Sequence, residues 1–341
     1  MNQLFKIFFT IPIVALFVAC GDSNNTGLIE KINRGSNTVT TDEIKVPYVY
    51  GQKGTHDVKV SIYSEDNLSV VYHPSSWEST PTPVIFFATG FGNKNHNDYK
   101  TLLHFLASHG YSVIYVPDSG SYFSQFQKFE AIINEYSNKL DTTKIGILGH
   151  SSGGGVVFPL LKYMNEKAYG ENGRFICAMD PYFAAYMDKD DMQALINTNI
   201  LIVQFGKDGK DIGNDTDPRI VLTTYGLLTG EGIDKNYIIL NGPNDANHGY
   251  PTGKNIDTMQ GLLKPLDALM EYTFKEKLDT HHAMALEGEG KEDPYANGYQ
   301  KVLSSSSYEY SCTYANVYHK GSDGKTQSTI DNCGEPKIEP N

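Results

Sequence analysis

From Val58 to Lys275, short β-branched runs alternate with longer stretches of helical periodicity, the pattern of a mostly parallel sheet covered by helices. Eight runs read as strands: Val58 to Tyr63, Leu68 to His73, Pro83 to Thr89, Ser112 to Pro117, Lys144 to His150, Phe175 to Met179, Ile200 to Phe205 and Tyr237 to Leu240. Helical patterns cover Tyr99 to Ser108, Tyr122 to Leu140, Val156 to Glu166, Arg219 to Leu228 and Thr258 to Lys275. In the first of these, Leu102, Leu103, Phe105 and Leu106 form a core-facing side. Runs such as Ile-Gly-Ile-Leu-Gly from Ile145 are apolar without alternation, which places them at the centre of a sheet buried on both faces. A single α/β domain with an eight-stranded sheet is expected over residues 46–280.

The flanks read differently. Lys6, an apolar run from Ile7 to Val18, and Ala19 before Cys20 have the form of an export signal over residues 1–20. That run is too short to span a bilayer. Its ending, Phe17-Val18-Ala19-Cys20, resembles the lipobox of bacterial lipoproteins, with Phe17 where Leu is usual. The resemblance implies an exported chain, anchored to a membrane only through lipid on Cys20, or secreted. Residues 21–45 are rich in Asn, Thr, Gly and Ser and bury too little apolar area to order themselves, so a flexible tether is expected.

Residues 281–341 fade into Gly, Glu, Ser and Tyr and are expected to form a C-terminal extension. There Cys312 and Cys333 flank a polar loop, and an oxidising compartment makes a disulfide the expectation. Cys177 sits in an apolar run. No Cys/His spacing suggests zinc, and neither metal nor cofactor is expected. The net charge of −12, without clustered Lys and Arg, excludes nucleic acid as a partner. A monomer is expected.

The strand from Lys144 runs directly into Gly149-His150-Ser151-Ser152-Gly153-Gly154-Gly155, after which a helix begins with Val156 and Val157. This is G-x-S-x-G between a strand and a helix, where a nucleophilic serine sits on a strained turn with glycines leaving room around it. Ser151 is the expected nucleophile of an α/β-hydrolase fold. The Ser152 amide, opening the helix, is an expected donor to the oxyanion of the tetrahedral intermediate. The second donor is expected from the loop after an early strand, where Thr89-Gly90-Phe91-Gly92-Asn93 offers the Phe91 amide.

A serine hydroxyl is a weak nucleophile and needs a base, and in this fold the chain order is Ser, acid, His. His248 lies in the polar loop after the last strand and is the expected base. His96, His104, His150, His281 and His282 read as packing or surface residues. The acid is sought after the strand ending at Phe205, where Asp208, Asp211, Asp215 and Asp217 share one loop. Asp217 looks like an N-cap before Pro218, and Asp208 sits in a turn-like Lys-Asp-Gly. Asp215 is preferred, with Asp211 second.

Over about residues 80 to 275 the chain resembles the bacterial cutinase and polyester-hydrolase group, which includes enzymes acting on poly(ethylene terephthalate), and more loosely the dienelactone hydrolases. That group's GHSMGGG or GWSMGGG elbow stands against GHSSGGG here, its PGF or PGY loop against Thr89-Gly90-Phe91, and its Ala-Ser-His against Ala246-Asn247-His248. Ser152 replaces Met, and the acid loop is longer. The resemblance implies ester hydrolysis, with Phe91 as one wall of an aromatic cleft and Tyr182, in Asp180-Pro181-Tyr182, as the other. The ester would be small or polymeric. The competing readings are an exported peptidase or acyltransferase of the same fold, and a catalytically silent ligand-binding lipoprotein.

Overall fold

The computed structural model describes residues 49–182, 184, 187–205, 218–240, 246–286 and 299–301. The chain divides into two units, Met1–Pro47 and Tyr48–Asn341, and every described residue lies in the second. The signal and tether with Cys20, the Asp208 to Asp217 loop, and Cys312 and Cys333 lie outside the described residues.

Among the described residues, nine strands form one sheet in the order β1-β2-β4-β3-β5-β6-β7-β8-β9. They are β1 Val58–Ile62, β2 Val70–Pro74, β3 Thr82–Ala88, β4 Ser112–Val116, β5 Leu140–His150, β6 Gly173–Met179, β7 Thr198–Phe205, β8 Ile233–Leu240 and β9 Tyr299–Lys301. The first eight are the expected eight. The ninth, three residues long, falls in the stretch expected to be an extension and pairs antiparallel with β8. Strands β3 to β8 run parallel to one another, while β2 pairs antiparallel with both β4 and β1 at the other edge.

The helices are α1 Lys100–Ser108, α2 Tyr122–Glu135, α3 Ser152–Glu166, α4 Lys189–Gln193, α5 Pro218–Leu227, α6 Gln260–Phe274 and α7 Asp279–Ala285. Strand residues alternate between two cores because successive side chains leave a strand on opposite faces. In β3, Val84, Phe86 and Ala88 join the core beneath α2 and α3, with Phe129, Val157 and Phe158. Ile85 and Phe87 join the core beneath α1 and α6, with Leu103, Phe105, Leu262 and Leu269. In β6, Cys177 is buried on this second face beside Phe175 and Met179.

Two differences from expectation have local causes. Helix α2 stops at Glu135 rather than Leu140, because Leu140 already pairs with Thr82 of β3, whose N–H bonds the Lys139 carbonyl at 3.0 Å. Helix α7 continues the packed core beyond residue 280: its His281 and Ala285, with Leu286, are buried. Among the described residues, no helix is long and apolar enough to cross a membrane.

The register aligns Ala88 with Gly149, and His150 with Met179. Chain order reverses between β3 and β5, since β3 leads to β4 on one side while β5 leads to β6 on the other. Such a switch point opens a crevice beyond the carboxyl ends of the strands. The loop after β3 and the turn after β5 both border it.

Candidate active site

Ser151 joins β5 to α3 at φ 58° and ψ −122°, a left-handed backbone that costs a non-glycine residue about 1–3 kcal/mol. The surroundings over-determine it. Its N–H donates to the Met179 carbonyl at 3.0 Å, and its carbonyl accepts from Tyr182 N–H at 2.9 Å and from Gly155 N–H at 3.3 Å. The motif glycines are steric requirements: a Cβ on Gly149 would lie 2.2 Å from the Gly153 carbonyl, and one on Gly153 would lie 2.2 Å from the Ala88 carbonyl. The Ser151 hydroxyl makes no hydrogen bond among the described residues. Ser152 opens α3, whose first amides lie beyond the reach of intrahelical acceptors and give this end a partial positive charge.

The acid beside His248 in the structure is Asp180, the first residue after β6. Its Oδ2 lies 2.5 Å from His248 Nδ1, and its Oδ1 accepts the Phe205 N–H at 3.3 Å. Asp180 is completely buried, whereas the His248 side chain is 43% exposed. A buried carboxylate requires such donors, and a charge-assisted bond this short is among the stronger ones. The carboxylate fixes the proton on Nδ1, so the neutral ring carries its lone pair on Nε2. Asp180 itself adopts φ 45°, a conformation that Asp tolerates better than most residues. Asp215 and Asp211 lie outside the described residues.

His150 was expected to be a packing residue, but it borders His248. The two rings are 4.7 Å apart between centroids, and His150 Nε2 lies 2.7 Å from the His248 carbonyl. A carbonyl only accepts, so Nε2 carries the proton and Nδ1 accepts from the Tyr99 hydroxyl at 2.8 Å. The Tyr99 oxygen in turn accepts the Gly90 N–H at 3.3 Å. Burial, then the neighbouring His248, push the His150 pKa down to about 3. Burial likewise raises Tyr99 to about 12, so both links stay neutral.

The loop after β3 is pinned from its other side as well. Gly92 N–H donates to Asp118 at 2.7 Å, Asn93 N–H to the Gly90 carbonyl at 3.1 Å, and the Tyr115 hydroxyl to Asn93 at 2.6 Å. The Gly90 amide is therefore occupied, while no hydrogen bond of the Phe91 amide is found among the described residues. A Cβ on Gly90 would lie 3.6 Å from Ser151 Cβ, so this loop borders the nucleophile. The Phe91 ring is 85% exposed. Tyr182 is partly buried, and its amide bonds the Ser151 carbonyl.

The structure thus gathers Ser151, Ser152, His248, the Phe91 loop and Tyr182 beyond the carboxyl ends of the strands. The remaining histidines lie in other environments: His96 bonds Tyr72 at 2.7 Å, His281 bonds Tyr50 at 2.8 Å, and His282 bonds Asp234 at 2.7 Å. Sequence reasoning missed Asp180 and His150. The available signals were an acidic residue directly after an apolar strand, and a histidine at the variable position inside the glycine motif. Among the described residues, no group of three or more His, Cys, Asp or Glu side chains could hold a metal ion. A cleft at the amino ends of β6 and β7 holds Arg174, whose guanidinium is bonded to Thr198 and to the Tyr169, Ile196 and Asn197 carbonyls. No protein-family model matches the chain, and no curated protein matches it.

Proposed function

We propose that this chain is a serine hydrolase of the α/β-hydrolase fold that cleaves carboxylic esters through an acyl-enzyme on Ser151. The observation that carries this reading is the left-handed Ser151 between β5 and α3, with His248 paired to the buried Asp180 and tied to the adjacent His150. His248 Nε2 takes the Ser151 proton as Oγ attacks the ester carbonyl. The tetrahedral intermediate expels the alcohol, which receives that proton, and water then hydrolyses the acyl-enzyme by the same steps in reverse. Asp180 orients the imidazole and stabilises its cation without taking the proton, the role the sequence suggested for Asp215 or Asp211. The Oγ to Nε2 bond closes in the substrate complex, as bonds that are long in ligand-free enzymes commonly do.

The oxyanion is met by the amides of Phe91 and Ser152. Neither amide is committed elsewhere by the bonds described above, and each such donor is worth about 3 kcal/mol of transition-state stabilisation. Phe91 and Tyr182 supply apolar faces for the acyl or aryl part of the ester, with about 1 kcal/mol beyond area burial for each well-stacked ring pair. The resemblance to cutinases and polyester hydrolases supports hydrophobic esters, small or polymeric. The lipobox-like start supports an exported lipoprotein. Hydrolysis of a short p-nitrophenyl ester and labelling by a fluorophosphonate, each compared with Ser151→Ala, test the proposal. A rate equal to that of the Ala variant together with no labelling would leave a silent ligand-binding protein.

A further inference from the structure

We infer that His150, backed by Tyr99, is a positioning residue that sets the general-base loop against the oxyanion loop. The inference rests on the hydrolase reading above. Four polar groups form one directed chain across the site: Gly90 N–H to the Tyr99 oxygen, Tyr99 O–H to His150 Nδ1, and His150 Nε2–H to the His248 carbonyl. Each group has one sense in which it can donate, because a backbone amide begins the chain and a carbonyl ends it. One end precedes the Phe91 amide by a residue. The other is the backbone of the base itself.

The link is built for rigidity. His150 and Tyr99 are 5% and 2% exposed, and both rings are neutral across the working pH range for the reasons of burial given above. A cationic His150 would offer a proton at Nδ1, where Tyr99 must be the donor, and would repel the imidazolium that forms on His248 during attack. A neutral imidazole joins the two loops without adding charge next to the base. The Asp180 bond fixes the ring of His248, and the His150 bond fixes its backbone. Together they determine where Nε2 lies relative to Ser151. Because the oxyanion loop hangs on the same chain, one displacement would disturb proton transfer and oxyanion binding together.

Steady-state kinetics on a soluble p-nitrophenyl ester test this with the full chain. His150→Leu removes both bonds, and kcat is expected to fall at least tenfold with KM changed less than twofold. His150→Gln retains an amide donor for the His248 carbonyl and is expected to recover most of that loss. An unchanged kcat in the Leu variant, or a Gln variant no better than Leu, would overturn the inference. Should the Leu variant not fold, Tyr99→Phe decides: it cuts the chain at its middle, and a kcat drop of about threefold or more is expected, with no change refuting the link. Fluorophosphonate labelling of the wild-type chain separates the two claims. Absence of labelling removes the hydrolase reading, whereas labelling and turnover insensitive to these substitutions remove only the role of His150.

Discussion

Two fully buried aspartates among the described residues each face a histidine, and the two pairs are built differently. Asp180 meets His248 Nδ1 at 2.5 Å, and the ring of His248 is 43% exposed. Asp267 on α6 meets His109 Nε2 at 3.5 Å, and that ring is 6% exposed. In the second pair both ring nitrogens are engaged within the fold, since Nδ1 lies 2.9 Å from the Phe105 carbonyl, while the other oxygen of Asp267 accepts the Gly51 N–H at 2.8 Å. That pair ties the entering chain, α1 and α6 together. In the first, the carboxylate fixes the proton on one nitrogen of a ring that solvent reaches. A buried carboxylate beside an imidazole therefore does not mark chemistry by itself. What marks it is a ring that solvent reaches, against a histidine that directly precedes a strained serine.

The contrast can be broken or sharpened by experiment. Ser151→Ala should have the largest effect, lowering kcat by roughly a million-fold, as loss of the nucleophile does in subtilisin, with the circular dichroism spectrum unchanged. Residual turnover well above background would place the nucleophile elsewhere. Asp180→Asn should lower kcat roughly 10⁴-fold by allowing the wrong tautomer of His248, whereas Asp267→Asn should leave kcat within about twofold. A loss in Asp215→Asn or Asp211→Asn matching that of Asp180→Asn would return the acid to the loop favoured by sequence.

The pH profile of kcat/KM supplies a third test. His248 must be neutral to accept a proton, so the rate should fall about tenfold per pH unit below the pKa of its ring. His150, held at about 3 by burial and by the neighbouring His248, stays neutral through that range. The acid limb should then persist in His150→Gln, and its disappearance there would assign it to the wrong ring. The smallest effect concerns stability: Asp267→Asn should cost about 1–3 kcal/mol, the usual consequence of disrupting a buried hydrogen-bonded group, read as a lowered denaturation midpoint at constant m-value. No change would mean that the pair around α6 contributes nothing measurable.

The sheet was legible because its strands are apolar on both faces, and the elbow because Gly149 and Gly153 each abut backbone, leaving no other residue type for those positions. The acid was not. Any carboxylate at the carboxyl end of a strand beyond β5 satisfies the chain order, and the four aspartates of residues 208–217 outnumber the single Asp180. Which strand end faces the His248 loop depends on how far each loop reaches over the sheet edge, a three-dimensional matter that spacing does not encode. His150 was hidden for a related reason: a side chain next to a nucleophile is expected to point away from it, and spacing does not encode that the ring of this last residue of β5 meets the His248 loop. Helix α7 was missed because seven residues carry too little periodicity, although Ala285 and Leu286 complete the core.

Cys177 lies three residues before Asp180, fully buried in β6 between β5 and β7, and burial pushes its thiol far above the usual range. Only a thiolate alkylates readily, so this sulfur is silent while the sheet is closed. Its modification rate, resolved by peptide mapping, is therefore a built-in clock for the opening of the strand that leads to Asp180. If heat abolishes turnover while that clock has not started, the loss arises in the loops above the sheet rather than in the sheet itself.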